Sequence, residues 1–109
     1  MIELKIPVKP ISVNAVWQGR RFKTKAYKQY EYDCMWFMGS KKLVGEVEVH
    51  YRFYLKNYAL SDVDNLIKPI QDIMVKSGII EDDRKIKKVV AEKFKSNEDK
   101  IEINIFKYQ

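Results

Sequence analysis

The sequence predicts an α+β fold: one sheet of about four strands, covered on one face by two helices, in the order β-α-β-α-β-β. Three observations predict it. Apolar residues alternate with polar ones at a period of two near both ends of the chain and in its middle, as strands with one buried face require. Two stretches between them carry apolar residues at helical spacing. No linker, internal repeat or low-complexity segment interrupts the 109 residues, a length typical of one domain. Residues 1–109 are therefore expected to form a single domain.

In the first strand Ile2, Leu4, Ile6 and Val8 alternate with polar neighbours. Pro7 and Pro10 place it at a sheet edge or end it early, because proline has no N–H for the ladder. Residues 9–26 show no steady period, and Arg20, Arg21, Lys23 and Lys25 are interleaved there with Trp17 and Phe22. That segment reads as a basic, aromatic loop or short hairpin. From Tyr27 to Met38 the pattern turns helical, with Tyr27, Tyr30, Cys34, Phe37 and Met38 sharing a face, and Gly39 and Ser40 end it.

In "GEVEVHYRFYLK", Val47, Val49, Tyr51, Phe53 and Leu55 point one way and Glu46, Glu48, His50 and Arg52 the other, the pattern of a half-buried strand. After the loop "NYALSDVDN", Leu66, Ile70, Ile73 and Met74 mark a second helix, which Gly78 stops. Pro69 lies beyond the turn in which a missing N–H is harmless. The regular helix therefore begins nearer Lys68, or its first turn is irregular. "KIKKVVAEKFK" and "KIEINIFKY" then read as two strands separated by the turn "SNED".

Composition narrows the function. The net charge is +6, from 21 Lys+Arg against 15 Asp+Glu, which favours an anionic partner, nucleic acid being the commonest. One cysteine, Cys34, excludes an intramolecular disulfide and any multi-cysteine zinc site; it reads as packing. The single histidine, His50, excludes an imidazole cluster and reads as a surface residue on the polar face of its strand. The glycines are scattered and form no phosphate-cradling loop, and no small-molecule cofactor is expected. No apolar run reaches bilayer-spanning length. The opening "MIELKIPVKP" lacks the basic start and apolar block of a secretory signal. A cytoplasmic location without membrane association is expected.

One stretch carries candidate chemistry. "SDVDNLIK", residues 61–68, holds Asp62, Asp64 and, four residues beyond the second, Lys68. A structural reading exists: Asp64, Lys68, Asp72 and Lys76 fall at successive i,i+4 steps, as in an exposed charge ladder, and Asp62 or Asp64 would serve as a helix cap. A calcium loop is excluded, because its fifth and sixth slots would be Leu66 and Ile67, where the sixth demands glycine. A second acidic group, Asp82–Asp83, favours the chemical reading. Three carboxylates and a lysine suit metal-assisted phosphodiester cleavage: hard oxygen donors hold Mg²⁺ or Mn²⁺, and an ammonium stabilises charge developing on phosphorus. A helix running from Asp64 to Gly78 brings Asp83 near its own beginning only if packing bends the chain back; otherwise a second copy of the chain supplies part of the site.

"SDVDNLIKPIQDIMVKSGIIEDDRKI" resembles the signature region of the RusA-type Holliday junction resolvases, small endodeoxyribonucleases frequent in phages and prophages. The signature has Asp-x-Asp-Asn, a lysine four residues after the second Asp, a short helix, then an acidic pair and a strand. The opening "PISVNAVW" is similar to the family's loop after its first strand, and "AEKFKSNEDKIEINIF" to its closing pair of strands. The resemblance implies a homodimer that binds four-way DNA junctions and nicks two strands with Mg²⁺, in DNA recombination and repair. It implies metal ligation by Asp62, Asp64 and Asp83, with Asp83 favoured over Asp82, and a catalytic role for Lys68. It adds Asn14 to Arg20, Arg21, Lys23 and Lys25 as DNA-binding candidates. The alternative expectation is a nucleic-acid-binding module of this fold that is inactive or acts on other branched DNA.

Overall fold

The structure, a computed structural model, describes residues 1–19 and 22–109; Arg20 and Arg21 lie outside the described residues. Strands β1 (Ile2–Ile6), β4 (Val47–Leu55), β5 (Ile86–Lys95) and β6 (Lys100–Lys107) form one sheet in the order β1-β6-β4-β5. The short strands β2 (Trp17–Gln18) and β3 (Phe22–Lys23) form a separate antiparallel hairpin in the basic, aromatic segment. Helices α1 (Lys25–Met35) and α2 (Val63–Ser77) complete the α+β fold.

The predicted faces are the faces that pack. Val47, Val49, Tyr51, Phe53 and Leu55 of β4, Ile2, Leu4 and Ile6 of β1, and Ile101, Ile103 and Ile105 of β6 are all buried, together with Leu66, Ile70, Ile73 and Met74 of α2. Tyr27, Tyr30 and Cys34 bring α1 into the same core. The other sheet face stays half-open, with Glu48, His50 and Arg52 of β4 beside Glu102 and Asn104 of β6.

The two closing strands do not pair with each other. β6 lies between β1 and β4, antiparallel to both, whereas β5 runs parallel to β4 on its other side. The turn between them wraps the end of β4: the Ser96 N–H donates to the Leu55 carbonyl at 3.0 Å, and the Lys56 N–H to Asp99 Oδ1 at 2.9 Å. β4 alternates without a break over its nine residues and buries five of them, so an interior position suits it. β5 is left as an edge, with Val89 and Val90 on opposite faces 41% and 42% exposed.

Three helix boundaries differ from the expected ones. α1 begins at Lys25, where Thr24 Oγ1 accepts from the Tyr27 N–H at 3.1 Å, and ends at Met35 rather than Met38. Its last turn tightens to i→i+3 bonds from the Phe37 and Met38 amides; Met38 still reaches the core while Phe37 is left exposed. α2 begins at Val63 and runs through Pro69, so it is not displaced toward Lys68; its start is tightened by an i→i+3 bond from the Asn65 N–H to the Asp62 carbonyl at 3.2 Å. The proline ring is buried, and that burial offsets the helical donor withheld from the half-exposed Asn65 carbonyl. Gly78 ends α2 in the left-handed conformation at φ +89°.

Candidate functional site

Because β1 and β4 are both antiparallel to β6, their C-terminal ends lie at the same end of the sheet. α2 starts there, running back from the end of β4 to deliver the chain to the start of β5. Lys93 of β5 fixes the loop that leads into α2. Its ammonium donates to the carbonyls of Tyr58 at 2.9 Å and Ser61 at 3.0 Å, and it lies 4.1 Å from the centroid of the Tyr58 ring. Asp62 is the N-cap of α2 by backbone geometry, but its side chain makes no capping bond. Asp64 lies in the first turn. Both are exposed, and among the described residues neither forms an ion pair. The partial positive charge of the helix start favours two carboxylates in this place.

Lys68 is one turn further along, and it does not turn back to Asp64. Its ammonium donates to Asp72 Oδ1 at 2.7 Å. Lys76 leaves the expected ladder as well, reaching across to Glu31 of α1 at 2.8 Å. The charge ladder is thus reduced to one rung, Lys68–Asp72, and a tie between the two helices.

The second acidic group is at the opposite end of α2. A helix of 15 residues is about 22 Å long, and Asp82 and Asp83 follow it at the start of β5. Within one chain the fold therefore separates Asp83 from Asp62 and Asp64. Among the described residues no three acidic, histidine or cysteine side chains are grouped to hold a metal ion. The acidic pair itself divides. Asp82 accepts from the Arg84 amide and pairs with its guanidinium, which holds the Asp82 carboxyl well below the usual carboxylate range. Asp83 opens the short 3-10 turn Asp83–Lys85, exposed and, among the described residues, without an ion pair.

The described part of the basic, aromatic segment meets α2 through the turn Val13–Ala15. Asn14 is exposed in the 3-10 turn Val13–Ala15, where its N–H donates to Ser12 Oγ at 3.2 Å, and this turn packs against α2. Thr24 closes the segment by donating from Oγ1 to the Ala15 carbonyl at 2.6 Å. Lys23 lies 4.6 Å from the Tyr27 ring centroid and 5.5 Å from that of Trp17, held by cation–π contacts that leave its charge available. Lys25, the first residue of α1, is exposed. Lys9 and Lys56 line a recess of about 180 Å³ beside Ser61 and Leu66, adding positive charge near the start of α2.

Other candidates resolve into structure. His50 lies 2.5 Å from Glu48 and edge-on to Phe106 on the open sheet face, a partly exposed residue on the polar face of its strand as expected. Cys34 is fully buried, and burial pushes its thiol up to about 12. Trp17 and Trp36 are exposed, whereas Tyr30 is buried in the core. A larger groove of about 970 Å³ runs between α1 and the chain after β1, lined by Pro7, Ile11, Tyr30, Trp36 and Phe37 among others. None of the candidate catalytic residues lines it. Two residues that shape the site, Lys93 and Arg84, carry no sequence signal beyond their charge. Lys93 acts through backbone carbonyls 32 and 35 positions away, and Arg84 acts on a neighbour, Asp82, whose own signal is only that of an acid.

Over residues 7–106 the chain matches the family model described as Endodeoxyribonuclease RusA. No curated protein matches it.

Proposed function

The chain belongs to the RusA endodeoxyribonuclease family, and from that membership we propose that it is a structure-selective nuclease. It would resolve four-way DNA junctions by paired Mg²⁺-dependent hydrolysis, in recombination and repair, with residues 1–109 acting as one catalytic domain. The observation that carries this reading is the start of α2. There Asp62 and Asp64 stand exposed and without ion pairs among the described residues, one turn before Lys68, on the helix against which the turn Val13–Ala15 of the basic segment packs.

The donors fit a hard divalent cation. Carboxylate oxygens suit Mg²⁺ or Mn²⁺, and with one cysteine and one histidine in the chain nothing favours zinc. When bound, the ion would supply charge neutralisation at the phosphate and activation of a water. Asp62 and Asp64 would hold it. Lys68, freed from Asp72, would place its ammonium against the charge developing on phosphorus. Lys23 and Lys25, with Arg20, Arg21 and Asn14, would bind the flanking backbone.

A homodimer completes the site in this reading. Asp83 is a helix length from Asp62 and Asp64 in its own chain. β5 is an open sheet edge whose start carries Asp83 and whose end lies beside Ser61 through Lys93. Antiparallel pairing of β5 with its copy about a two-fold axis brings Asp83 of the partner subunit toward Asp62 and Asp64. The exposed Val89 and Val90 lie in the middle of that edge. Two equivalent sites then face a two-fold symmetric junction.

Subunit mixing tests this directly. Asp62→Asn and Asp83→Asn homodimers are each expected to be inactive on a synthetic four-way junction with Mg²⁺. A heterodimer of the two would contain one site with both wild-type carboxylates, so mixing should restore nicking of one strand. No recovery on mixing, with subunit exchange verified, would return the site to a single chain. A wild type that binds the junction and never cuts it would favour the second reading, a nucleic-acid-binding module. The separation of the carboxylates within one chain and the Lys68–Asp72 pair are what keep that reading alive.

A further inference from the structure

Asp82 and Asp83 are neighbours in sequence with different surroundings. The Asp82 carboxylate accepts three hydrogen bonds from a single residue, Arg84. Oδ1 takes the backbone N–H at 2.9 Å and Nε at 3.2 Å, and Oδ2 takes Nη2 at 3.1 Å. The first of these caps the 3-10 turn that carries Asp83. The other two form a two-pronged pair with a guanidinium whose side chain is 87% exposed. A guanidinium has about five N–H donors in one plane. Asp82 occupies one edge of the plane and leaves the rest facing solvent.

This arrangement is poorly explained by stability, since an exposed ion pair contributes little. It is well explained by preorganisation. A free arginine loses much rotamer entropy when it docks on a ligand, and a fork already fixed on one side loses less. The surroundings suit an anion. Arg84, Lys85 and Lys87 line one recess of about 380 Å³ with Asp82 and Glu46. Both carboxylates there are engaged, Asp82 by Arg84 and Glu46 by Lys87 at 3.3 Å. Lys85 has no carboxylate within ion-pair distance among the described residues.

We propose that Arg84, held in place by Asp82, binds a DNA phosphate immediately beside Asp83. Of the acidic pair, Asp83 is then the metal ligand and Asp82 a positioning residue for the arginine. The assignment rests on the nuclease reading and names the part of that site which grips the substrate.

The test measures binding of a labelled four-way junction in EDTA across a range of salt concentrations, and separately the Mg²⁺ concentration giving half-maximal cleavage. Arg84→Ala should weaken binding about tenfold at low salt and lower the slope of log Kd against log salt by about one. Asp82→Asn keeps a capping oxygen for the turn but loses the charged fork. It should weaken binding even though it removes a negative charge near DNA, where simple repulsion predicts tightening. Neither variant should move the Mg²⁺ requirement, whereas Asp83→Asn should abolish cleavage at every Mg²⁺ concentration and leave the salt slope alone. Arg84→Lys should keep the wild-type slope with reduced affinity.

Tighter binding by Asp82→Asn, a Mg²⁺ shift in that variant, or a wild-type slope in Arg84→Ala would each overturn the assignment, melting curves having shown the variants folded. Those results beside a wild type that cuts the junction refute the Arg84 role alone. A wild type that neither binds nor cuts it refutes the nuclease reading and this assignment together.

Discussion

Lys68 Nζ lies 2.7 Å from Asp72 Oδ1, one turn along α2 and away from the carboxylates at the start of the helix. Both side chains are about half exposed, so the pair is held weakly, at about 0.3–0.5 kcal/mol for an i,i+4 pair. An ammonium held this loosely is easily recruited by a phosphate.

Lys68 and Lys76 should therefore part company under mutation. Lys68→Ala should fold and bind junction DNA but cut it on the order of a hundredfold more slowly or worse, because stabilisation of the transition-state charge is lost. Lys76→Ala should cut normally and lose about 0.2–1 kcal/mol of stability, because its partner Glu31 ties α1 to α2. Single-turnover rates and denaturant melts separate the two effects. Equal, small effects at both lysines would reduce Lys68 to surface charge.

Removal of the metal should spare binding. EDTA is expected to abolish cleavage while junction affinity persists, and Asp62→Asn and Asp64→Asn should each stop cleavage with affinity held or improved, because a charge facing phosphate is removed. Electrophoretic mobility shifts run beside cleavage assays read both quantities. Cutting that persists in EDTA would eliminate the metal mechanism.

The basic segment should carry a salt-dependent share of affinity. Lys23→Glu and Lys25→Glu together are predicted to weaken binding and to flatten its salt dependence, by about one unit of slope for each phosphate no longer neutralised. Lys23→Glu should also loosen the packing of its side chain on Trp17 and Tyr27, which tryptophan fluorescence would register. Unchanged affinity would move the DNA path elsewhere.

Cys34 supplies a pH prediction about the core. Burial pushes its thiol from 9.0 to about 12, and burial raises the Tyr30 hydroxyl in the same direction. Folding favours the neutral thiol, so this contribution is fully present below pH 9 and fades as pH rises toward 12. Thermal stability should be flat in this respect from neutral pH to about 9 and decline above it. At pH 8 a thiol reagent should label Cys34 only as the protein unfolds; rapid labelling of the native protein would contradict the burial.

The sequence by itself determined the local things. Period-two alternation picked out the buried faces of β1, β4 and β6, and helical spacing found the core residues of α2, because both patterns depend only on where successive side chains point. It also located Asp62, Asp64 and Lys68 at the start of a helix. Tertiary structure decided the rest. Which strand lies between which depends on competition for burial among residues far apart in the chain, so the placing of β4 between β5 and β6 was not visible in either closing strand. Partner choice was decided in the same way. Lys68 took Asp72, Lys76 took Glu31 and Asp82 took Arg84, because each charge pairs with whatever carboxylate or cation the packed helices and turns bring within reach. The separation of Asp83 from Asp62 and Asp64 has the plainest cause: α2 is a rigid rod that spans the sheet, and the acids stand at its two ends.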